Sequence, residues 1–261
     1  MMDNLATFLL LAGAAFGAGV LNAIAGGGSF LTFPALVFTG VPPIAANATS
    51  ALAVSPGYLG GVLGFRPELR AIPSNTLRRE VLLSALGGIA GALLLLVTPP
   101  TVFSGLVPWL LLFATVLFAV GPRLARMGMR QQADGGAQHA LQSWRLPGLF
   151  AVAVYGGYFN GGLGILLMAL YTLTGESRIN TVNALKNLNS FVLSVLSVLA
   201  FAIGGAIVWK QALLMAVFAT LGGFAGARLA KRLPVAWVRA IVIVTGVVMS
   251  VLFFMRSSGG G

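Results

Sequence analysis

Between Thr181 and Ser190 the chain reads TVNALKNLNS, one lysine and three asparagines within a stretch otherwise apolar enough to sit in a lipid bilayer. On a helix turning about 100° per residue, Asn183, Asn187, Ser190, Ser194 and Ser197 share one stripe, with Asn180 and Lys186 at its margins. Asn189 does not fit that stripe. Hydrocarbon cannot satisfy polar groups, so the stripe must face protein or water. A lysine beside amide and hydroxyl donors is the chemistry that a small oxyanion needs once its water is removed. Placing lysine at the centre of a membrane helix costs about 2.5–3.5 kcal/mol on insertion scales, so a compensating interaction is expected. Three readings of Lys186 follow: a charge for the substrate, a side chain snorkelling to the inner interface about two turns from the start of its span, or a structural pair with Glu176 or Glu80.

Other donors stand elsewhere in the chain. Asn47, Thr49 and Ser50 occupy an equivalent span in the first half. Two glycine-rich breaks, NAIAGGGS (Asn22–Ser29) and YFNGGLG (Tyr158–Gly164), add Asn22, Gly27, Gly28, Ser29, Asn160, Gly161 and Gly162, with free backbone amides expected in the turns. With Lys186, Asn183, Asn187 and Ser190 these residues make up the expected substrate site.

What the sequence lacks narrows the chemistry. Its five carboxylates, Asp3, Glu68, Glu80, Asp134 and Glu176, each fall in an expected loop or near the end of a span. That weighs against a cation transporter and against proton coupling through a buried acid. There is no cysteine, and the single histidine, His139, sits in the polar linker RQQADGGAQHA. An intramembrane enzyme would lack a nucleophile and an acid–base pair, and neither a cofactor nor a metal is expected.

The elements that hold these residues follow from composition. Of the 261 residues, 58% are hydrophobic and 8% charged, where soluble domains carry roughly 25% charged residues. Apolar runs near 5–24, 44–64, 81–97, 102–120, 180–206, 212–229 and 235–255 approach or exceed the roughly 20 residues that cross a bilayer. The first run has no basic residue before it and no clear polar break after it, so it reads as a retained segment. A net charge of +11 would suggest nucleic acid for a soluble protein, but here the basic residues lie in short loops between spans and report topology. Nucleic acid is excluded as a partner on hydropathy; the lipid bilayer and a small anion are expected.

One unit occurs twice. LGGIAGA at Leu86–Ala92 and LGGFAGA at Leu221–Ala227 are 135 positions apart, a spacing that Pro99 and Pro234 repeat. At nearly the same offset GGSFLTFPAL lines up with GGLGILLMAL, and Asn47-Ala48 with Asn183-Ala184. Close packing of small residues is the competing explanation for the glycine phrases. Each half reads as a short, re-entrant helix pair followed by three longer spans. If the loop carrying Arg66, Arg70, Arg78 and Arg79 is cytoplasmic, counting each short pair as a return also places the linker arginines, Arg178 and the Arg228–Arg232 loop inside. The repeats are then inverted and both termini face outward. The expected fold is an all-α polytopic membrane protein of two inverted repeats: residues 1–120, a basic cytoplasmic linker at 121–145, a second repeat at 146–256, and a disordered tail at 257–261. Such a plan is common among secondary transporters, with the substrate at mid-membrane between the halves. Trp109, Trp144, Trp209 and Trp237 read as interface anchors.

The stretches GGYFNGGLGILLMALYTLTGESRINTVNALKN and AGGGSFLTFPALVFTGVPPIAANATSALAV resemble the paired signatures of the sulfite exporter TauE/SafE family, also called toluene sulfonate uptake permeases. The resemblance runs from about Gly17 to Phe254. It implies a multi-pass protein of the bacterial plasma membrane that moves sulfite, sulfonates or related organosulfur anions. Two positions depart from the family pattern: Asn160-Gly161-Gly162 stands where Gly-Ala-Gly is more usual, and Ser194 where asparagine is often found. The expected function is therefore an anion transporter working by alternating access, with a passive anion channel as the alternative. A proton or sodium coupling ion and a homodimer are both compatible with it.

Overall fold

The structure, a computed structural model, describes residues 5–24, 27–133, 142–229 and 235–258, and among them every regular element is helical. In the first half stand α1 (Leu5–Ile24), α2 (Ser29–Phe38), α3 (Pro43–Gly64), the short α4 (Arg66–Arg70), α5 (Ser74–Val97) and α6 (Pro100–Ala133). The second half contains α7 (Arg145–Tyr158), α8 (Leu163–Leu173), α9 (Ile179–Ile203), α10 (Trp209–Leu229) and α11 (Val235–Ser258). His139, the Lys231–Arg232 segment, Pro234 and the final residues of the expected tail lie outside the described residues. α4 has no counterpart among the apolar runs, and α6 continues to Ala133, beyond the end of its apolar run near Val120 and into the expected linker.

Local chemistry accounts for several boundaries. Proline occupies the first position of both α3 and α6, where its missing N–H costs nothing. At the far ends of α2 and α8, Gly40 and Gly175 adopt positive φ and close the helix with the same bond, Val41 N–H to Leu36 O and Glu176 N–H to Tyr171 O. These two caps again lie 135 residues apart.

Polarity is arranged as a bilayer requires. Leu93, Leu94, Val97, Phe113, Val116, Leu213, Val217, Leu221 and Phe224 point outward from α5, α6 and α10, while Asn47, Thr49, Ser50, Glu80, Ser84, Asn189, Ser190 and Ser194 are buried. An aqueous solvent would penalise so much exposed apolar surface, whereas lipid does not. Four helices of the described residues are long and apolar enough to cross a membrane: Leu5–Ala23, Ser74–Val97, Pro100–Gly121 and Ile179–Ile203. Trp109, Trp144 and Trp209 are more than half exposed.

Helix pairing survives exchange of the two halves. α1 packs on α10 as α7 packs on α5; α3 packs on α10 as α9 packs on α5; α2 touches α11 as α8 touches α6. α3 meets its counterpart α9, and α6 meets α11. Both of these self-pairings are antiparallel: Ser55 meets Ser194 while Gly61 meets Asn187, and Trp109 meets Phe254 while Thr115 meets Gly246.

The repeated glycine phrases serve this pairing. A Cβ on Gly87 of α5 would collide with the Ala153 side chain of α7, one on Gly91 with the α7 backbone, and one on Gly222 or Gly226 of α10 with the α1 backbone. Gly157 and Gly19 complete the two seams from the opposite side. Close packing, the competing explanation above, is therefore what these glycines do.

Candidate functional site

The two breaks meet in the interior. α1 and α2 form a hairpin whose turn is held by Asn22, whose Oδ1 accepts from the amides of Gly27 (3.0 Å) and Gly28 (2.9 Å). The expected free amides of this turn are thus already taken, because an asparagine five residues upstream reaches them first. α7 and α8 form the second hairpin, in which Gly162 turns at φ +77° and the amides of Gly161 and Gly162 make no hydrogen bond to the described residues. Between the two turns, Ser29 Oγ donates to Asn160 Oδ1 at 3.1 Å, and Tyr58 OH from α3 donates to the same oxygen at 3.2 Å.

The remaining expected residues divide by what they touch. Asn47 Nδ2 donates to the Tyr158 carbonyl (3.0 Å) and ties α3 to the end of α7. Thr49 Oγ1 accepts from the Val208 amide (3.0 Å), just ahead of α10. Ser50 pairs with Thr32 at 2.6 Å and joins α3 to α2. Together with Asn22, these side chains are engaged in holding backbone or neighbouring helices. The α9 stripe splits similarly: Ser194 bonds Ser55 (2.7 Å), and Ser197 bonds the Gly88 carbonyl (3.0 Å) and its own helix.

The upper part of the stripe is different. Ser190 is wholly buried, yet its Oγ has no hydrogen-bond partner, and the Nδ2 of buried Asn160 has none either. Asn187 lies with its amide against Gly61, so the α3–α9 crossing is bracketed by the Ser55–Ser194 and Gly61–Asn187 contacts. In register, Ser190 falls between them at the level of Tyr58. Asn183, one turn earlier, is half-buried.

Lys186 belongs to the same turn. It is 8% exposed, so its stem lies within the protein and does not run along the lipid-facing surface. Among the described residues it makes no hydrogen bond or ion pair. Neither acid considered as its partner is available: Glu176 lies 3.6 Å from Arg178, and Glu80 is bound elsewhere. A cavity of about 500 Å³ lies between α4 and the start of α9, with Glu68, Arg178, Asn180 and Thr181 in its wall.

Glu80 is the feature that the sequence reading placed least well. Near the start of α5 it is completely buried. Its Oε1 accepts from Arg145 Nε (2.9 Å) and Nη2 (2.6 Å), and its Oε2 from Tyr171 OH (2.9 Å) and Asn189 Nδ2 (3.1 Å). Ser84 donates to Asn189 Oδ1 at 2.7 Å, and the Arg145 guanidinium lies 5.0 Å from the centre of the Tyr171 ring. This network joins α5, α7, α8 and α9, and it explains why Asn189 is off the stripe: its amide points to the carboxylate. Tyr58 was also missed, although Asn47, Ser50 and Tyr58 lie on one face of α3 by helical spacing.

Comparisons with known proteins find relatives named as membrane transporters. The chain is 29% identical over 245 residues to a probable membrane transporter protein of Haemophilus influenzae, covering 90% of this chain and 89% of that protein. It is 28% identical over 253 residues to the probable membrane transporter protein ORF9 of a Sinorhizobium species (96% and 94% covered), and 28% over 247 residues to the probable membrane transporter protein YfcA of Escherichia coli (93% and 87%). No solved structure gives a significant match. The family described as Sulfite exporter TauE/SafE matches residues 11–253, and with that match over nearly its whole length the chain belongs to this family of multi-pass membrane transporters.

Proposed function

We propose that the protein is a secondary transporter of small oxyanions of the sulfite or sulfonate type, bound where the two hairpin turns meet α3 and α9. The observation that carries this reading is Lys186, a buried side chain with no acidic partner among the described residues. A buried cation without a counter-ion is costly, and a transported anion would supply the missing charge. Support comes from the donors nearby in register: Asn160 Nδ2 and Ser190 Oγ, both buried without partners, and the amides that open α8. The family description names sulfite export, which fits an anion of this kind. Asn22, Asn47, Thr49 and Ser50 then act by holding the frame, while Lys186, Asn183, Asn187, Ser190, Ser29, Asn160, Gly161 and Gly162 form or border the binding region.

Alternating access follows if the halves are inverted copies. The antiparallel crossings of α3 with α9 and of α6 with α11, and a pairing scheme unchanged by exchange of halves, support that relation. Two such copies can adopt each other's conformation and open the central site to one side, then to the other. The test is uptake of labelled sulfite and methanesulfonate into proteoliposomes. Native protein should show saturable flux and trans-stimulation, Lys186→Ala should lose it, and Lys210→Ala, at the start of α10, should not. Flux through Lys186→Ala equal to native would remove the lysine from the mechanism, and non-saturable flux without trans-stimulation would make the protein a channel.

A further inference from the structure

Asn160 carries one feature that the transport reading does not require. Its Oδ1 accepts two hydrogen bonds, from Ser29 Oγ and from Tyr58 OH, while its Nδ2 donates none. A carbonyl oxygen has two lone pairs, so these two hydroxyls saturate it. We propose that Tyr58 and Ser29 act as positioning residues that fix the Asn160 amide with both N–H groups turned toward the substrate, making this point of the site read hydrogen-bond acceptors only. The inference rests on the oxyanion reading above and adds a rule of selection to it.

The physical argument is one of satisfaction. Asn160 is 3% exposed, and a buried amide nitrogen without an acceptor has given up its water with nothing in exchange. Rotating the amide by half a turn would let Nδ2 donate to the two hydroxyls, which also accept, and leave Oδ1 at the empty position, so one atom lacks a partner in either orientation and the orientation with Oδ1 on the hydroxyls is the one that an anion completes. With both hydroxyls donating, only a ligand oxygen can complete the group. Lysine likewise offers donors and no acceptor. A sulfonate or sulfite head, which presents oxygens all round, matches such a set. A sulfonamide of the same shape presents an N–H₂ where an acceptor is required, and sites built for a particular hydrogen bond reject ligands that leave it unmade.

The selection is tested by competition in proteoliposomes, with labelled methanesulfonate as substrate and unlabelled methanesulfonate or methanesulfonamide as competitor. Native protein should favour the sulfonate strongly. Tyr58→Phe and, separately, Ser29→Ala each free one lone pair of Oδ1 and allow the amide to turn. Each should weaken methanesulfonate binding by roughly tenfold, the equivalent of one hydrogen bond, and narrow the preference over methanesulfonamide. Asn160→Asp places an acceptor against the anion and should abolish binding. A defect of folding alone would lower the amount of active transporter while leaving the competition ratio unchanged. An unchanged ratio in both Tyr58→Phe and Ser29→Ala, with flux retained, would overturn the selection rule and leave the oxyanion reading intact. If native protein binds no methanesulfonate or sulfite, the underlying reading fails and the rule fails with it.

Discussion

Replacing Arg145 with methionine would leave the Glu80 carboxylate fully buried with only Tyr171 and Asn189 to answer it. The two Arg145 contacts to Oε1 are the charge-assisted ones, at 2.9 and 2.6 Å, and no other cation is paired with Glu80 among the described residues. Breaking a buried pair by removing one partner costs about 3–5 kcal/mol, because the remaining charge has lost both water and counter-ion. The reverse change, Glu80→Gln, is expected to be milder, about 1–3 kcal/mol, since the Arg145 side chain keeps 19% exposure and can reach solvent. Removing both charges in Glu80→Gln/Arg145→Met leaves two neutral groups, and its cost should fall below that of Arg145→Met alone. The cycle is measured by unfolding of the purified protein in mixed micelles, following loss of helix signal against the fraction of denaturing detergent. A coupling of about 2–3 kcal/mol between the two positions is expected. Additive effects, or an Arg145→Met variant within about 0.5 kcal/mol of native, would refute the claim that this network holds α5, α7, α8 and α9 together.

Three further outcomes follow from the packing. Gly91→Leu and its counterpart Gly226→Leu should each cost about 1–3 kcal/mol or prevent recovery of folded protein, whereas Gly105→Leu, with open space beside it, should be neutral by melting temperature. Gly162→Ala forces a side chain into the left-handed region next to Ala114 and should lower stability by about 1–2 kcal/mol in the same unfolding assay. Thr49→Ala leaves the Val208 amide without its acceptor and should cost about 1 kcal/mol, while Thr49→Ser should restore stability and leave the KM for transport unchanged.

Much of the architecture was readable because the bilayer imposes it. Among the described residues seven long helices lie where apolar runs approach the bilayer's thickness, and the short α2, α7 and α8 adjoin the glycine-rich breaks, but α1, expected as half of a short pair, is 20 residues long and apolar enough to cross the membrane. The two close helix seams were legible in LGGIAGA and LGGFAGA, because close helix contact admits only small residues. The site was legible only in part. Residue type marked Asn22, Asn47, Thr49 and Ser50 as polar and intramembrane, but it cannot say whether a donor meets a ligand or a nearby carbonyl; that depends on which helix packs beside it. Lys186 stood out because its charge is hard to place anywhere in a membrane. Glu80 was misjudged for the opposite reason: its position near the start of α5 suggested solvent, and its partners come from three other helices 65 to 109 residues away. Tyr58 was hidden by its own chemistry, since a tyrosine in a membrane helix reads equally well as packing or as an interface anchor.

The absence of cysteine from the chain allows a direct test of where the anion binds. Ser190→Cys introduces one thiol at the buried, unpartnered position beside the α3–α9 crossing. Its labelling by a small impermeant thiol reagent, measured in proteoliposomes with and without methanesulfonate, reads occupancy of that position. Methanesulfonate should slow labelling of Ser190→Cys with a half-effect near the transport KM, and adding Lys186→Ala should remove the protection. Labelling at the same rate with and without the anion, or no labelling from either side of the membrane, would contradict anion binding there.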